Sequence, residues 1–324
     1  MLVSFIIPAY NVSSYVFDTL DSLFTNDDFS LYEVILVNDG SKDNLDSLIE
    51  NSKYIQFPNF KYIKKENNGH GSCINVGLKI SNGKYIKILD GDDWVEPSQL
   101  KPFLDFVSKQ DNDIVIDSYN KFFMQSKTKE KFQLLNKDEC AGNDFIQLLK
   151  KLNKNQFILM PQITIKRDLI KQLGIEIDER ISYDDAEFNV LCVVASSTFS
   201  LCDFSIYVYR IGREGQSISK IISQKRILDK KTILSFIFNI INKESEQTKI
   251  TYLSYYAAKA AVTTLETIIE SDSSFFIKRR SINDFIRFVK KNNEQIYKKM
   301  FDKEIGGTIT KRYKFSLGLY LLFR

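Results

Sequence analysis

The sequence predicts an α/β fold, a mostly parallel sheet with helices on both faces, followed by a helical region. Two observations in the first 215 residues point to the sheet. Short, nearly continuous apolar runs suit parallel strands covered on both faces, and they alternate with segments whose apolar residues recur at helical spacing. A third observation sets the remainder apart. Residues 216–324 carry 21 Lys and Arg against 10 Asp and Glu, a balance of +11, while residues 1–215 hold −7 of the chain's net +4. The expected domains are 1–218, the α/β part, and 219–324, basic and helical.

The elements follow in order. "LVSFIIP" (2–8) and "YEVILVND" (32–39) read as the first two strands. Between them, "SSYVFDTLDSLF" (13–24) brings Val16, Leu20, Leu23 and Phe24 to helical spacing behind serines suited to capping. "FKYIKK" (60–65), "KYIKILD" (84–90) and "NDIVIDSY" (112–119) add three short strands, and "GSCINVGLKIS" (71–81) and "PSQLKPFLDFVSK" (97–109) supply helices between them. An open α/β sheet binds its ligands at the carboxyl ends of its strands. The notable polar residues fall at those ends: Pro8-Ala9-Tyr10, Asn38-Asp39-Gly40-Ser41 and Asp90-Gly91-Asp92-Asp93. After residue 216, "SQKRILDKKTILSFIFNIIN", "LSYYAAKAAVTTLETIIE" and "SINDFIRFVKKNNEQIYKKM" have helical apolar spacing with Lys-rich polar faces.

Composition narrows the class. The 324 residues, 44% hydrophobic and 27% charged, fit a folded globular protein large enough for two domains. No apolar run approaches the roughly 18–20 residues that span a bilayer. The opening "MLVSFIIPAYN" lacks a basic n-region and reads as a buried strand, not a signal peptide. His70 is the single histidine, which excludes any site built on two histidines, the common catalytic zinc arrangements included. Cys73, Cys140, Cys192 and Cys202 have no metal-ligand spacing and read as reduced, mostly buried thiols of a cytoplasmic protein.

The chemistry concentrates in "KYIKILDGDDWVEP" (84–97), where Asp90, Asp92 and Asp93 crowd three carboxylates into four positions. Such charges repel, so a cationic partner, solvent or a divalent metal has to compensate them. The D-x-D spacing of Asp90 and Asp92 lets one carboxylate meet a ribose or a metal-bound water while the other ligates the ion, and hard oxygen ligands suit Mg²⁺ or Mn²⁺. A calcium loop is excluded, because "DGDDWVEPSQL" lacks the later glycine and terminal glutamate. Asp39 in "VNDGS" can accept hydrogen bonds from a base or ribose, or simply belong to an ordinary Asp-Gly-Ser turn.

In their order, "FIIPAYN", "VNDGS", "NNGHGSCINVGLKISNGKYI", "LDGDDWV", "ISYDDAEFN" and "YVYRIGREGQSIS" resemble the inverting family 2 glycosyltransferases of the GT-A fold, of the type that builds bacterial surface polysaccharides. The resemblance covers roughly residues 1–220. It implies a Rossmann-like sheet, a nucleotide-sugar donor, most often a UDP-sugar, and a single displacement onto a glycan hydroxyl in capsule, exopolysaccharide or cell-wall polymer synthesis. By position, Pro8, Tyr10 and Asp39 would line the base and ribose pocket, and Gly71 and Gly91 the donor loops. Asp90 would contact ribose or the metal's shell, Asp92 would ligate the metal, and Asp185 would be the general base. Asp184 stands where the family more often has glutamate, so either member of the pair can be the base. Arg210 and Arg213 match phosphate oxygens and are candidates for holding the diphosphate, with ordinary surface arginines as the alternative. His70 lies in a Gly-flanked loop whose backbone amides can approach the donor, with plain loop structure as the alternative, and Trp94 either packs under the aspartate loop or stacks an acceptor sugar.

A sugar nucleotidyltransferase is disfavoured, since "PAYNVSSYV" has no glycine, lysine or arginine. A non-catalytic glycan- or nucleotide-binding scaffold on a degenerate transferase fold is the alternative, and it would be expected to have lost carboxylates that this chain keeps. No nucleic-acid partner is expected. The end, "TKRYKFSLGLYLLFR" (310–324), sets Lys311, Arg312 and Lys314 before an apolar stretch too short to span a membrane. It can dock on the helical part, mediate homo-oligomer formation, or lie at the inner face of the cell membrane beside a lipid-diphosphate-linked acceptor.

Overall fold

The computed structural model describes residues 1–25, 30–135, 142–174, 176–213, 224–271 and 274–306. The chain forms two compact units, Met1–Phe145 with Ile158–Ser219, and Ile146–Phe157 with Lys220–Arg324.

In the first unit the strands are β1 (Val3–Ala9), β2 (Tyr32–Asn38), β3 (Phe60–Lys64), β4 (Tyr85–Ile88), β5 (Trp94–Val95), β6 (Ile114–Phe123), β7 (Thr128–Phe132), β8 (Ile163–Lys166) and β9 (Phe199–Ile211). The helices are α1 (Val16–Leu23), α2 (Leu45–Glu50), α3 (His70–Ile80), α4 (Pro97–Ser108), α6 (Arg167–Leu173) and α7 (Asp185–Ala195), with α5 (Phe145–Lys151) leading out of the unit. One sheet runs β3-β2-β1-β4-β8-β6-β9-β5, with β7 paired to β6. Its first four strands are parallel, in register Phe5 to Val34 and Phe5 to Lys87. β6 and β9 also run parallel, whereas β8 lies antiparallel between β4 and β6, and β5 and β7 are antiparallel to their neighbours.

The sheet has helices on both faces, as the apolar runs require. Phe5, Ile7, Val34 and Leu36 pack with Leu20 of α1 and Phe103 of α4 on one side. Ile35, Val37 and Cys73 of α3 pack on the other. Burial of each such side chain contributes about 1.5–3 kcal/mol. α3 sits so close that a Cβ on Gly77 would come within 2.3 Å of Ile6. Four strands are not expected from the sequence, among them the 13-residue β9. β5 has two residues and β8 four, and β7, "TKEKF", is largely exposed and carries no apolar run.

The second unit holds α8 (Gln224–Lys243), α9 (Gln247–Glu270), α10 (Phe275–Asn292) and α11 (Glu294–Met300). Its core joins Leu234 and Ile237 of α8, Leu253, Ala257 and Ala261 of α9, Phe285 and Val289 of α10, and Ile296 of α11, all buried. The segment Ile146–Phe157 belongs here and not with residues 1–218 as expected from sequence. Phe157 stacks edge-on to Tyr252 and Tyr256, and Lys154 pairs with Asp302 at 2.9 Å. No helix among the described residues is long and apolar enough to cross a membrane. Cys73, Cys192 and Cys202 are free and buried. Cys140, the 218/219 boundary, the "QSIS" end of the arginine block and the tail at 310–324 lie outside the described residues.

Candidate active site

Parallel pairing of β1 with β2 and β4 brings the loops after these strands side by side. The Asp39 amide donates to Ala9 O at 2.8 Å, and the Gly91 amide to Pro8 O at 3.1 Å. A Cβ on Gly91 would stand 2.9 Å from Pro8 O, so glycine is needed for this approach. Asn11, with φ of +53°, receives nothing from chance: its amide donates to Ser41 Oγ, and its Oδ1 accepts from the Lys42 amide at 2.8 Å. Pro8 is buried beneath this junction, whereas Tyr10 is exposed at the end of β1.

Asp39 is buried and uses both carboxylate oxygens. Oδ1 accepts from the Asn68 amide at 2.9 Å and Lys65 Nζ at 2.5 Å, and Oδ2 from the Gly69 amide at 2.8 Å. It therefore latches the 65–69 loop, and a base or ribose would meet lone pairs left over from that task.

The aspartate loop is fastened from several sides. Thr19 Oγ1 of α1 donates to Asp93 O at 2.5 Å, and Tyr207 OH of β9 donates to Asp93 Oδ2 at 2.5 Å. The Arg210 amide donates to Asp93 Oδ1 at 2.7 Å. Asp93 is fully buried, and burial, with Asp92 and Asp90 adding to it, holds its carboxyl well above the usual range. Arg210 is 7% exposed, donates to Asp92 O and Asp18 Oδ2 at 2.7 Å each, and has the rings of Trp94 and Tyr15 within 4.6 and 5.0 Å. Arg210, a candidate for holding the diphosphate, thus fastens the aspartate loop to α1 through Nε and one terminal nitrogen. Trp94 takes the packing role, edge-on to Phe122 at 5.4 Å. Arg213 Nε engages Asp92 Oδ2. Burial, then the charge of Asp90, raises the Asp92 carboxyl, and Arg213 opposes them.

Asp90 and the acidic pair before α7 are joined by His70. Its Nε2 lies 3.0 Å from Asp90 Oδ1 and its Nδ1 3.1 Å from Asp184 Oδ2. Burial opposes a charged imidazolium, but Asp184 and then Asp90 outweigh it and hold the His70 pKa well above its ordinary value. Gly71 makes the juxtaposition possible, since a Cβ there would come within 2.4 Å of Asp178 O and 2.8 Å of Asp184 Oδ2. Asp184 is buried at the N-cap of α7, and Asp185 opens the helix. Asp185 is exposed, and desolvation by the surrounding protein, with the charge of Asp184 adding to it, pushes its carboxyl up to about 6. Behind them Glu187 is fully buried, accepts from the Asp178 amide at 2.8 Å, and is pushed by burial to about 7.

Several of these residues escaped the sequence reading. Thr19 and Asp18 carried no motif, Tyr207 opens the arginine block without a role assigned to it, and the partners of His70 lie 20 and 114 residues away in the chain. Only the isolation of one histidine inside "NGHGS" hinted at a role.

The donor set fits a hard divalent cation at one position. Asp90 places Oδ1 on His70, and its Oδ2 has no protein partner among the described residues. Arg213 Nε engages Oδ2 of Asp92, so at that oxygen an ion would compete with the guanidinium. Among the described residues no three His, Cys, Asp or Glu side chains form a closed ligand set, so donor phosphates or waters would complete the shell.

The open α/β sheet, with acidic loops gathered at its carboxyl edge, has the GT-A fold. Residues 4–174, more than half the chain, match the model of glycosyl transferase family 2, and the chain belongs to that family. It is 29% identical over 259 residues to the minor teichoic acid biosynthesis protein GgaB of Bacillus subtilis, a match covering 78% of this chain and 28% of GgaB. It is 27% identical over 217 residues to the glycosyltransferase GlyG of Streptococcus pneumoniae, covering 64% of this chain and 70% of GlyG. The fold is similar to that of S. aureus TarS 1–349 in complex with UDP-GlcNAc, with a TM-score of 0.64 at 20% identity over 91% of this chain and 83% of that one. It is also similar to the Pyrobaculum calidifontis mannosyltransferase PcManGT in complex with GDP-Man and Mn²⁺, with a TM-score of 0.55 at 14% identity over 92% and 84% of the two chains.

Proposed function

We propose that the chain is an inverting transferase that moves a sugar from a UDP-sugar to a hydroxyl of a bacterial surface-polymer glycan, with Asp185 as the general base. One observation carries the reading: His70 ties Asp90, on the aspartate loop, to Asp184, beside Asp185, so the donor loop and the acidic pair share one frame. The UDP-GlcNAc complex of TarS supports the UDP donor, and the teichoic acid assignment of GgaB supports the acceptor class.

In this reading Tyr10, exposed at the end of β1, faces the nucleotide base, and Asp39 holds the 65–69 loop against it. Asp90, through Oδ2, would hold a Mn²⁺ or Mg²⁺ ion together with the donor diphosphate, Asp92 joining when Arg213 turns to the phosphates. Bound there, the ion supplies positive charge for the leaving diphosphate. Asp185 takes the proton of the acceptor hydroxyl as its oxygen forms the new bond to the anomeric carbon. The bond from that carbon to the diphosphate oxygen breaks on the opposite side, and UDP leaves with the electron pair. Entry from one face and departure from the other inverts the centre. The experiment is a thermal-shift panel of nucleotide sugars with and without Mn²⁺. Metal-dependent stabilisation by UDP-sugars is the expected result, and stabilisation by GDP-sugars alone rejects the donor assignment.

A further inference from the structure

We propose that the first turn of α10 is a docking surface for an anionic lipid bilayer. Phe275, Phe276 and Ile277 are three consecutive large apolar residues at 68%, 80% and 53% exposure. They are not part of the helical core, which α10 enters through Phe285, Ile286 and Val289, two turns or more further on. A core-facing amphipathic helix turns its apolar residues one way, and here the first turn is apolar where the helix meets solvent.

The charge beside it selects the partner. Lys278, Arg279 and Arg280 follow the apolar triplet, and α10 carries Arg287, Lys290 and Lys291 as well against Asp284 alone. Asp284 is itself taken up by Arg287 at 3.2 Å and Arg280 at 3.9 Å. Phe276 and Arg280, four residues apart, lie on one side of the helix, and both are exposed. Exposed aromatics next to Lys and Arg match the boundary between acyl chains and anionic headgroups. A second copy of this helix would instead bring basic surface against basic surface, within a region of balance +11. The apolar turn is far too short to span a bilayer, so the contact is interfacial.

The test is co-sedimentation of the full chain with phosphatidylcholine vesicles, with and without phosphatidylglycerol. Wild type is expected to bind the anionic vesicles at low salt and to release in high salt. Phe275→Ser/Phe276→Ser is expected to weaken that binding about tenfold or more, with unchanged melting temperature and unchanged UDP affinity. Lys278→Gln/Arg279→Gln/Arg280→Gln is expected to weaken it too and to flatten its salt dependence. Wild-type affinity in the phenylalanine variant overturns the proposal and moves any lipid contact elsewhere in the chain. Failure of wild type to bind overturns it as well, as does a wild-type dimer in sedimentation velocity that the phenylalanine pair dissolves.

Discussion

At the scale of single residues, Asp185 and His70 carry the sharpest expectations. A general base works deprotonated, and the Asp185 carboxyl is raised to about 6. Transfer should therefore rise with pH through about 6 and level off above it, as a pH–rate profile at saturating donor would record. Asp185→Asn should remove that limb and lower turnover about 10²–10⁴-fold, with donor affinity within a few-fold. The same loss in Asp184→Asn alone would shift the base by one residue. His70→Ala should leave buried Asp184 short of a partner and free Asp90 to swing, lowering turnover more than donor affinity, as steady-state kinetics beside donor titration would show. The sequence marked Asp39, Asp90, Asp92 and the acidic pair, because each ends or begins an element within a recognisable stretch. It did not mark Arg210 as the clamp of the aspartate loop, since Asp18, Tyr15 and Trp94 come to it from distant positions.

At the scale of elements, β1 to β4 and β6 were legible, whereas β9, parallel to β6, and the antiparallel β5, β7 and β8 were not. β1, β2 and β4 are apolar in their own right, whereas β8 is stabilised by what it lies between. Beneath that strand sits an ion pair with both side chains fully buried, Lys87 Nζ to Asp117 Oδ2 at 2.9 Å. Burial pushes the Asp117 carboxyl up to about 7 despite the lysine. Lys87→Met should therefore cost about 3–5 kcal/mol in urea denaturation, since it strands a buried carboxyl, and Lys87→Met/Asp117→Leu should recover much of that loss. A double variant less stable than the single would show that the pair is more than mutual neutralisation. Gly71→Ala tests the junction of α3 with the acidic pair. The new Cβ would overlap Asp178 O, so turnover should fall even in protein that folds with native circular dichroism.

At the scale of the whole molecule, the split of charge between an acidic α/β part and a basic helical part was readable from composition alone. The affiliation of Ile146–Phe157 with the helical unit was not, because Phe157 finds Tyr252 and Tyr256 about 100 residues on. In the proposed reading the carboxyl edge of the sheet is a working transferase site and not a binding relic. The most direct measurement is Mn²⁺-dependent release of UDP from a panel of UDP-sugars, for the wild-type chain and Asp185→Asn, with donor affinity measured on both. Wild type is expected to release UDP from at least one donor, and the variant to lose about 10² or more of that rate at nearly unchanged affinity. Donor binding without release in wild type, or equal release by the two proteins, would contradict it.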